Sequence, residues 1–149
     1  MNTLVKSFNE LSVDELYGIL QLRAEIFVVE QDCVYNDLDG NDQKAYHLMI
    51  KKDDTNEIVG YARMLDKGTR FKQASIGRLV VKKEVRFNGL ARRIMTEASQ
   101  WMKLRWDVDD IHISAQKYLK AFYSSLGYQI VTDTYLEDGI PHVGMDLKF

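Results

Sequence analysis

The residues with the clearest chemical purpose lie between Val81 and Arg93. Arg86, Gly89 and Ala91 stand in the pattern Arg-x-x-Gly-x-Ala, with Arg92 and Arg93 close behind. Ahead of them, Ser75-Ile76-Gly77-Arg78-Leu79-Val80-Val81 crowds branched apolar side chains together, as a strand buried on both faces does. Behind them, Leu90, Ile94, Ala98 and Met102 recur at helical spacing. A strand, a small-residue turn and a helix therefore follow in that order. A helix start offers N–H groups without partners and a partial positive charge, both of which favour an anion. Gly89 and Ala91 keep the backbone approachable, and guanidinium groups donate to phosphate oxygens in pairs. Arg86, Phe87, Asn88, Gly89, Leu90, Ala91 and Arg92 thus read as a pyrophosphate cradle, against the plainer reading of a strand-to-helix turn with solvated arginines. A nucleoside triphosphate site would need a Gly-Lys-Ser/Thr ending, and a dinucleotide site more glycines and a downstream acidic residue; neither is here.

The elements that must position this cradle follow from periodicity. Thr3 to Phe8 reads as a first strand. Ser12-x-x-Glu15 is a capping box that opens a helix from about Val13 to Val29, with Leu16, Ile19, Leu20, Ile26 and Phe27 on its apolar stripe and Arg23 among them. Ala45 to Lys51 and Glu57 to Leu65 are strand-like around a polar hairpin connection, and with the strand at Ser75 they predict a four-stranded antiparallel meander. Asp110 to Ala115 is another strand and Gln116 to Leu126 a helix that Gly127 ends. Tyr128 to Thr134 and Val143 to Phe149 predict a closing hairpin around Glu137-Asp138-Gly139-Ile140-Pro141.

Arg86-x-x-Gly89-x-Ala91 after a buried strand resembles the acyl-CoA motif Gln/Arg-x-x-Gly-x-Gly/Ala of the GCN5-related N-acetyltransferases (GNAT), many of which have glycine where this chain has Phe87. The element order is similar to that family's over nearly the whole chain. The segments Leu22-Arg23-x-x-Ile26-Phe27-Val28-Val29-Glu30-Gln31, Tyr35-x-Asp37-x-Asp39-Gly40 and Glu137-Asp138-Gly139-Ile140-Pro141-His142 look like its ElaA-like subgroup. The resemblance implies an α/β (α+β) GNAT fold, a mixed sheet of about seven strands with a splayed parallel pair and about four helices, in a single domain spanning 1–149. It implies acetyl-CoA as co-substrate, held by the main chain of Leu79, Val80 and Val81 and by the cradle.

Acyl transfer from a thioester needs a polarised carbonyl, a deprotonated nucleophile and a proton for the leaving thiolate. Phe122-Tyr123-x-x-x-Gly127-Tyr128 resembles the family segment whose tyrosine protonates that thiolate, which makes Tyr123 the candidate acid; a phenol is neutral at pH 7 and donates one hydrogen bond. Glu30 and His142 are the candidate bases, while His47 and His112 lie within strands and read as packed. Cys33 stands far along the chain from the thioester segment, which argues against a covalent route. The acceptor is expected to meet Asp37, Asp39 and Arg63. The hairpin from Asp133 to His142 is expected to shape the acceptor site as well, and its acidity and that of Gln31 to Asp42 suit a cationic amine, on a small molecule or a protein, although dense carboxylates on a loop are commonly just solvated.

The totals bound these expectations. The 149 residues fit one core, and a net charge of −2 argues against a protein built to hold nucleic acid. A single cysteine and three scattered histidines offer no metal cage. Tested as a calcium loop around Gly40, the aspartate segment puts Tyr35 and Tyr46 where carboxylates belong, so no metal is expected. Met1 to Glu15 holds no long apolar run, which predicts no membrane contact and a cytoplasmic setting. A homodimer is compatible with the sequence. Two rival readings stand beside the acetyltransferase. One is an acyl-homoserine-lactone-synthase-like acyltransferase, against which the short chain counts; the other is a non-catalytic acyl-CoA sensor or interaction module.

Overall fold

The computed structural model describes residues Met1–Phe149. Its first strand, β1 (Asn2–Ser7), leads through a short turn to α1 (Val13–Arg23). Ser12 caps α1 by accepting the Glu15 amide while the Glu15 carboxylate accepts the Ser12 amide, so both orphan donors are satisfied. The expected single helix to Val29 changes character at Ala24. Residues Ala24–Glu30 form a π-helical continuation, with the amides of Gln31 and Cys33 donating five residues back to Ile26 and Val28. The run Ile26-Phe27-Val28-Val29 is β-branched and aromatic, side chains that crowd an α-helical turn, and the wider turn accommodates them.

Strands β2 (Tyr46–Lys51), β3 (Ile58–Leu65) and β4 (Ala74–Val81) complete the expected antiparallel meander with β1. Then follow α2 (Leu90–Trp106), β5 (Asp110–Gln116), α3 (Lys120–Ser125), β6 (Gln129–Ile130), β7 (Tyr135–Glu137) and β8 (Ile140–Lys148). The sheet therefore has eight strands, in the order β1-β2-β3-β4-β5-β8-β6 with β7 also on β8, and it is flanked by three α-helices. The closing hairpin is tighter than expected. Asp138 and Gly139 both take positive φ, as a two-residue turn of the right twist requires, so β8 begins at Ile140, with β5 along one edge and the short β6 and β7 along the other.

Strand alternation divides the core. Leu48 and Ile50 face α2, where Ile94, Ala98 and Met102 are buried, whereas Met49, Tyr61 and Val80 face Ile19, Leu22 and Ile26 of the first helix. All eight residues of β3 are buried between these layers. Only β4 and β5 run parallel, and they pair at two positions alone, Ala74 with Ile111 and Ser75 with His112. Beyond Ser75 the two strands part. Just there β4 carries a bulge: Gly77 opposes Arg63 and Val80 opposes Tyr61, so β4 holds one residue more than β3 over that span. Arg78 absorbs the extra residue with φ of 54°. A bulge bends its strand and raises the local twist, which turns the end of β4 away from β5.

Candidate active site

The parting of β4 and β5 opens a cleft of about 710 Å³, with Leu79, Val80 and Val81 on one wall and Ile113, Ser114 and Gln116 on the other. Phe27, Glu30 and Gln31 close one side from the π-helical turn, and Leu119, Phe122 and Tyr123 close another from the α3 region. The backbone of β4 beyond Ser75 has no β5 partner along this edge, so its polar groups are available to a molecule lying in the gap.

At one mouth of the cleft stands the predicted cradle. Gly89 takes φ of 76° ahead of α2, and no side chain caps that helix, in contrast to α1 with its serine. The first-turn amides of α2 are thus left to solvent or to an anion. Arg86, Phe87, Gly89, Leu90, Ala91 and Arg92 line the cleft; Asn88 does not, because its amide turns back to donate to the Val85 carbonyl at 3.4 Å. Arg92 donates to Ser125 Oγ at 2.7 Å and lies over the Phe122 ring, which ties the cradle to α3. Arg93 faces the other way, toward Thr3, Glu97 and the Met1 carbonyl. Arg86 acts as a strut: its Nε donates to the Val81 carbonyl at 2.9 Å and its Nη2 pairs with Glu30 at 2.8 Å. Glu30, expected as a base, is on the cleft wall but spends its carboxylate on Arg86.

Tyr123 sits on the wall with only 8% of its surface exposed, and burial pushes its phenol well above the ordinary tyrosine value. No protein group hydrogen-bonds its hydroxyl. Its ring is held edge-on by Phe122 and Tyr128, at centroid distances of 5.1 and 6.1 Å.

At the other end of the cleft lies a polar cluster that strand register assembles. Tyr135 pairs with His142 across β7 and β8, and His142 pairs with Gln116 across β8 and β5. Because strand side chains alternate, Tyr135, Glu137, His142, Ser114 and Gln116 share one face. Glu137 accepts from Arg70 Nη2 at 2.7 Å and from Ser114 Oγ at 3.0 Å. His142 Nδ1 lies 2.7 Å from the Ile140 carbonyl, so this nitrogen carries a proton, and Nε2 faces Glu137 Oε2 at 3.5 Å. Sequence reasoning singled out His142 and the hairpin that carries Glu137, without naming Glu137 itself, and missed Ser114 and Arg70. The signal for Glu137 was its place two residues from Gly139 in a tight hairpin turn, which sets it on the face of His142. Cys33, remote in sequence, also reaches the cleft and lies 3.5 Å from the Asp138 carbonyl.

Asp37, Asp39 and Arg63, expected to meet the acceptor, are not on the cleft wall. They belong to an ion-pair network of three aspartates and three arginines. Arg23 donates to Asp37 at 2.8 Å and Asp42 at 2.7 Å; Arg63 grips Asp39 with two nitrogens, at 2.8 and 2.7 Å, and reaches Asp42 at 3.0 Å. Arg78, the bulged residue, closes the network on Asp37 at 2.7 Å. The side chains of Arg23 and Arg63 are wholly buried. For Asp39 and Asp42 burial alone would raise the carboxyl, but the arginines outweigh it and hold both groups below the usual range. Three of the loop's four aspartates are therefore paired internally, and Asp32 alone stands exposed without an ion pair. His47, between the Tyr61 hydroxyl and the Asp42 carbonyl, and His112, on Asp146 at 2.6 Å, are packed as expected.

A mixed sheet whose one parallel pair parts beside an uncapped helix start is the architecture of an acyltransferase fold. Residues 14–149 match the Acetyltransferase (GNAT) domain, and the chain belongs to that family. Among its relatives are Protein ElaA of Escherichia coli K12, 39% identical over 137 residues that cover 92% of this chain and 90% of that protein, and a UPF0039 protein of Schizosaccharomyces pombe, 40% identical over 96% of this chain and 94% of its own length. The crystal structure of an acyl-CoA N-acyltransferase from Pseudomonas aeruginosa superposes with a TM-score of 0.89 at 39% identity, covering 99% of each chain. The acyl-homoserine lactone synthase LasI shares the fold alone, with a TM-score of 0.77 at 15% identity over 99% of this chain and 89% of that one.

Proposed function

We propose that the protein moves an acetyl group from acetyl-CoA to a primary amine by direct attack within a ternary complex. The observation that carries this reading is the gap between β4 and β5, which joins the uncapped start of α2 at one end to Glu137 and His142 at the other, past the Tyr123 hydroxyl. The amides of α2 and Arg92 suit the diphosphate of the coenzyme, and the free edge of β4 at Leu79–Val81 suits the amide-bearing arm that leads to the sulfur. A backbone N–H of this edge polarises the thioester carbonyl by donating to its oxygen.

The polar cluster suits the amine. His142 Nε2, an acceptor when the proton rests on Nδ1, faces a carboxylate oxygen of Glu137, and an ammonium group placed between them would satisfy both. The ammonium first gives one proton up to solvent, which frees the nitrogen lone pair; His142 takes the second as the nitrogen attacks, a new C–N bond forms, and the C–S bond breaks with its electron pair on sulfur. Tyr123 then donates to that sulfur. Its raised pKa keeps it protonated until the thiolate forms, and the phenolate left after the proton passes to sulfur is reprotonated from solvent. Cys33 lies on the cleft too, yet its one hydrogen bond goes to the Asp138 carbonyl and not to a base, which favours direct attack over an acyl-cysteine.

Calorimetry with CoA and acetyl-CoA, followed by thiol release over a panel of amines, tests the proposal. Binding together with amine-dependent thiol release is the expected result. Binding without turnover on any amine would replace the enzyme with a sensor, and absence of binding would end both readings.

A further inference from the structure

Six residues other than glycine have positive φ, and four of them are Asp or Asn, which tolerate that conformation. The other two are Arg78 and Phe87, and both line the cleft. Arg78 is accounted for by the β4 bulge and its grip on Asp37. Phe87, at φ of 65°, has no such compensation: its side chain is fully exposed. A bulky residue in the left-handed region stores strain, and an aromatic ring left in water gains nothing from burial, so the protein bears two costs at one position. Strain of this kind collects where a ligand is held.

Phe87 stands between Arg86 and Gly89, on the lip of the diphosphate cradle. In an acyl-CoA the adenosine joins that diphosphate directly, so the purine emerges one ribose away from the amides of α2. We propose that the Phe87 side chain is the platform on which the purine of the coenzyme stacks. Every purine offers a flat π face, an exposed phenyl ring covers it without needing hydrogen bonds, and the neighbouring Arg86 and Arg92 favour the attached phosphates. The ring thereby recovers on binding the burial it lacks in the free protein. This inference rests on the acyl-CoA reading above and adds to it a nucleotide subsite made by one side chain.

The test compares wild type with F87A, F87G and F87W. Calorimetry with CoA should show F87A and F87G about tenfold weaker, equivalent to about 1.4 kcal/mol, and F87W at least as tight as wild type. Competition with 4′-phosphopantetheine, which lacks the adenosine, should give the same affinity for all four proteins. Etheno-adenine CoA should be quenched by wild type and not by F87A. F87G should keep or raise the melting temperature, because glycine relieves the left-handed strain, so its loss of affinity could not be ascribed to a damaged fold. Equal CoA affinity in F87A and wild type would overturn the proposal. So would a loss shared by 4′-phosphopantetheine, which would mark Phe87 as shaping the cradle only, or a change of oligomeric state with unchanged affinity, which would make the ring a contact between copies. Failure of wild type to bind CoA at all would instead sink the acyltransferase reading itself.

Discussion

Replacing Asp37 by Asn separates a structural role for the aspartate loop from a role in reading substrate. Asp37 Oδ2 accepts from Arg23 Nε at 2.8 Å, and Oδ1 accepts from Arg78 Nε at 2.7 Å and the Tyr35 hydroxyl at 3.0 Å, with the side chain 9% exposed. Asparagine keeps the shape but has one oxygen, so its NH₂ must confront an arginine N–H or the tyrosine hydroxyl. Three arginines would then face two carboxylates. Losing one partner of a buried charged pair costs about 3 kcal/mol or more, because the other charge stays behind unpaired. For a chain of this length that corresponds to a melting temperature lower by roughly 6–12 °C. Thermal and urea unfolding would measure it, with an unchanged urea slope showing that the denatured state is not the cause. At temperatures where D37N is folded, KM for an active amine should stay within about twofold of wild type. A melting temperature within about 2 °C of wild type, combined with a tenfold rise in that KM, would refute the reasoning and return Asp37 to the acceptor site.

Four further outcomes are expected. Y123F should lower kcat by about ten- to a thousandfold while calorimetric CoA affinity is unchanged, as befits a proton donor used after binding. R86A should weaken CoA far more than pantetheine, because it removes the strut between Glu30 and Val81 that braces the cradle; equal losses for both would show that the arginine does not serve the diphosphate end. Burial works to raise the Glu15 carboxyl, but hydrogen bonds from Lys51, the Ser12 amide and Lys6 outweigh it and hold the group at about 2, against 4.5 when free. Its stabilisation, of the order of 3 kcal/mol, is therefore complete above pH 4.5 and lost as pH falls toward 2; acid titrations of wild type and E15Q should diverge above that window and converge below it. G144A should lower stability by about 1–3 kcal/mol, since a Cβ there would come within 2.7 Å of Thr132 Cγ2 and 3.0 Å of His112 Cε1, and thermal melts would show it.

What could be foreseen from residues alone follows the range of the interactions involved. The meander, the buried fourth strand and α2 rest on local periodicity, and the cradle is a contiguous motif, so each was legible. The aspartate loop was not, because its partners come from elsewhere: Arg63 and Arg78 lie on β3 and β4, and only burial shows that Asp37 and Asp42 are inside. Arg23 on an apolar stripe was the one local hint of a carboxylate partner. The cluster at Glu137 depended on the register Tyr135–His142–Gln116, a pairing across three strands that no single segment encodes. The switch to a π-helical turn at Ala24 escaped periodicity because a helical stripe of Ile26 and Phe27 looks much the same at either pitch.

The arginine–aspartate network has a bearing on how this enzyme could diversify. Every carboxylate that the segment before β2 contributes to that network is bound to a strand or helix, so altering Asp37, Asp39 or Asp42 would loosen the scaffold before it retuned recognition. The β7–β8 hairpin is differently placed: a two-residue turn at its tip and an edge strand paired on one side only leave its outer positions open to change. Under the proposed reading, a shift of acceptor would therefore begin at exposed positions of this turn such as Asp138, and not at Glu137 or His142, whose contacts with Arg70, Ser114 and the neighbouring strands tie them to the fold.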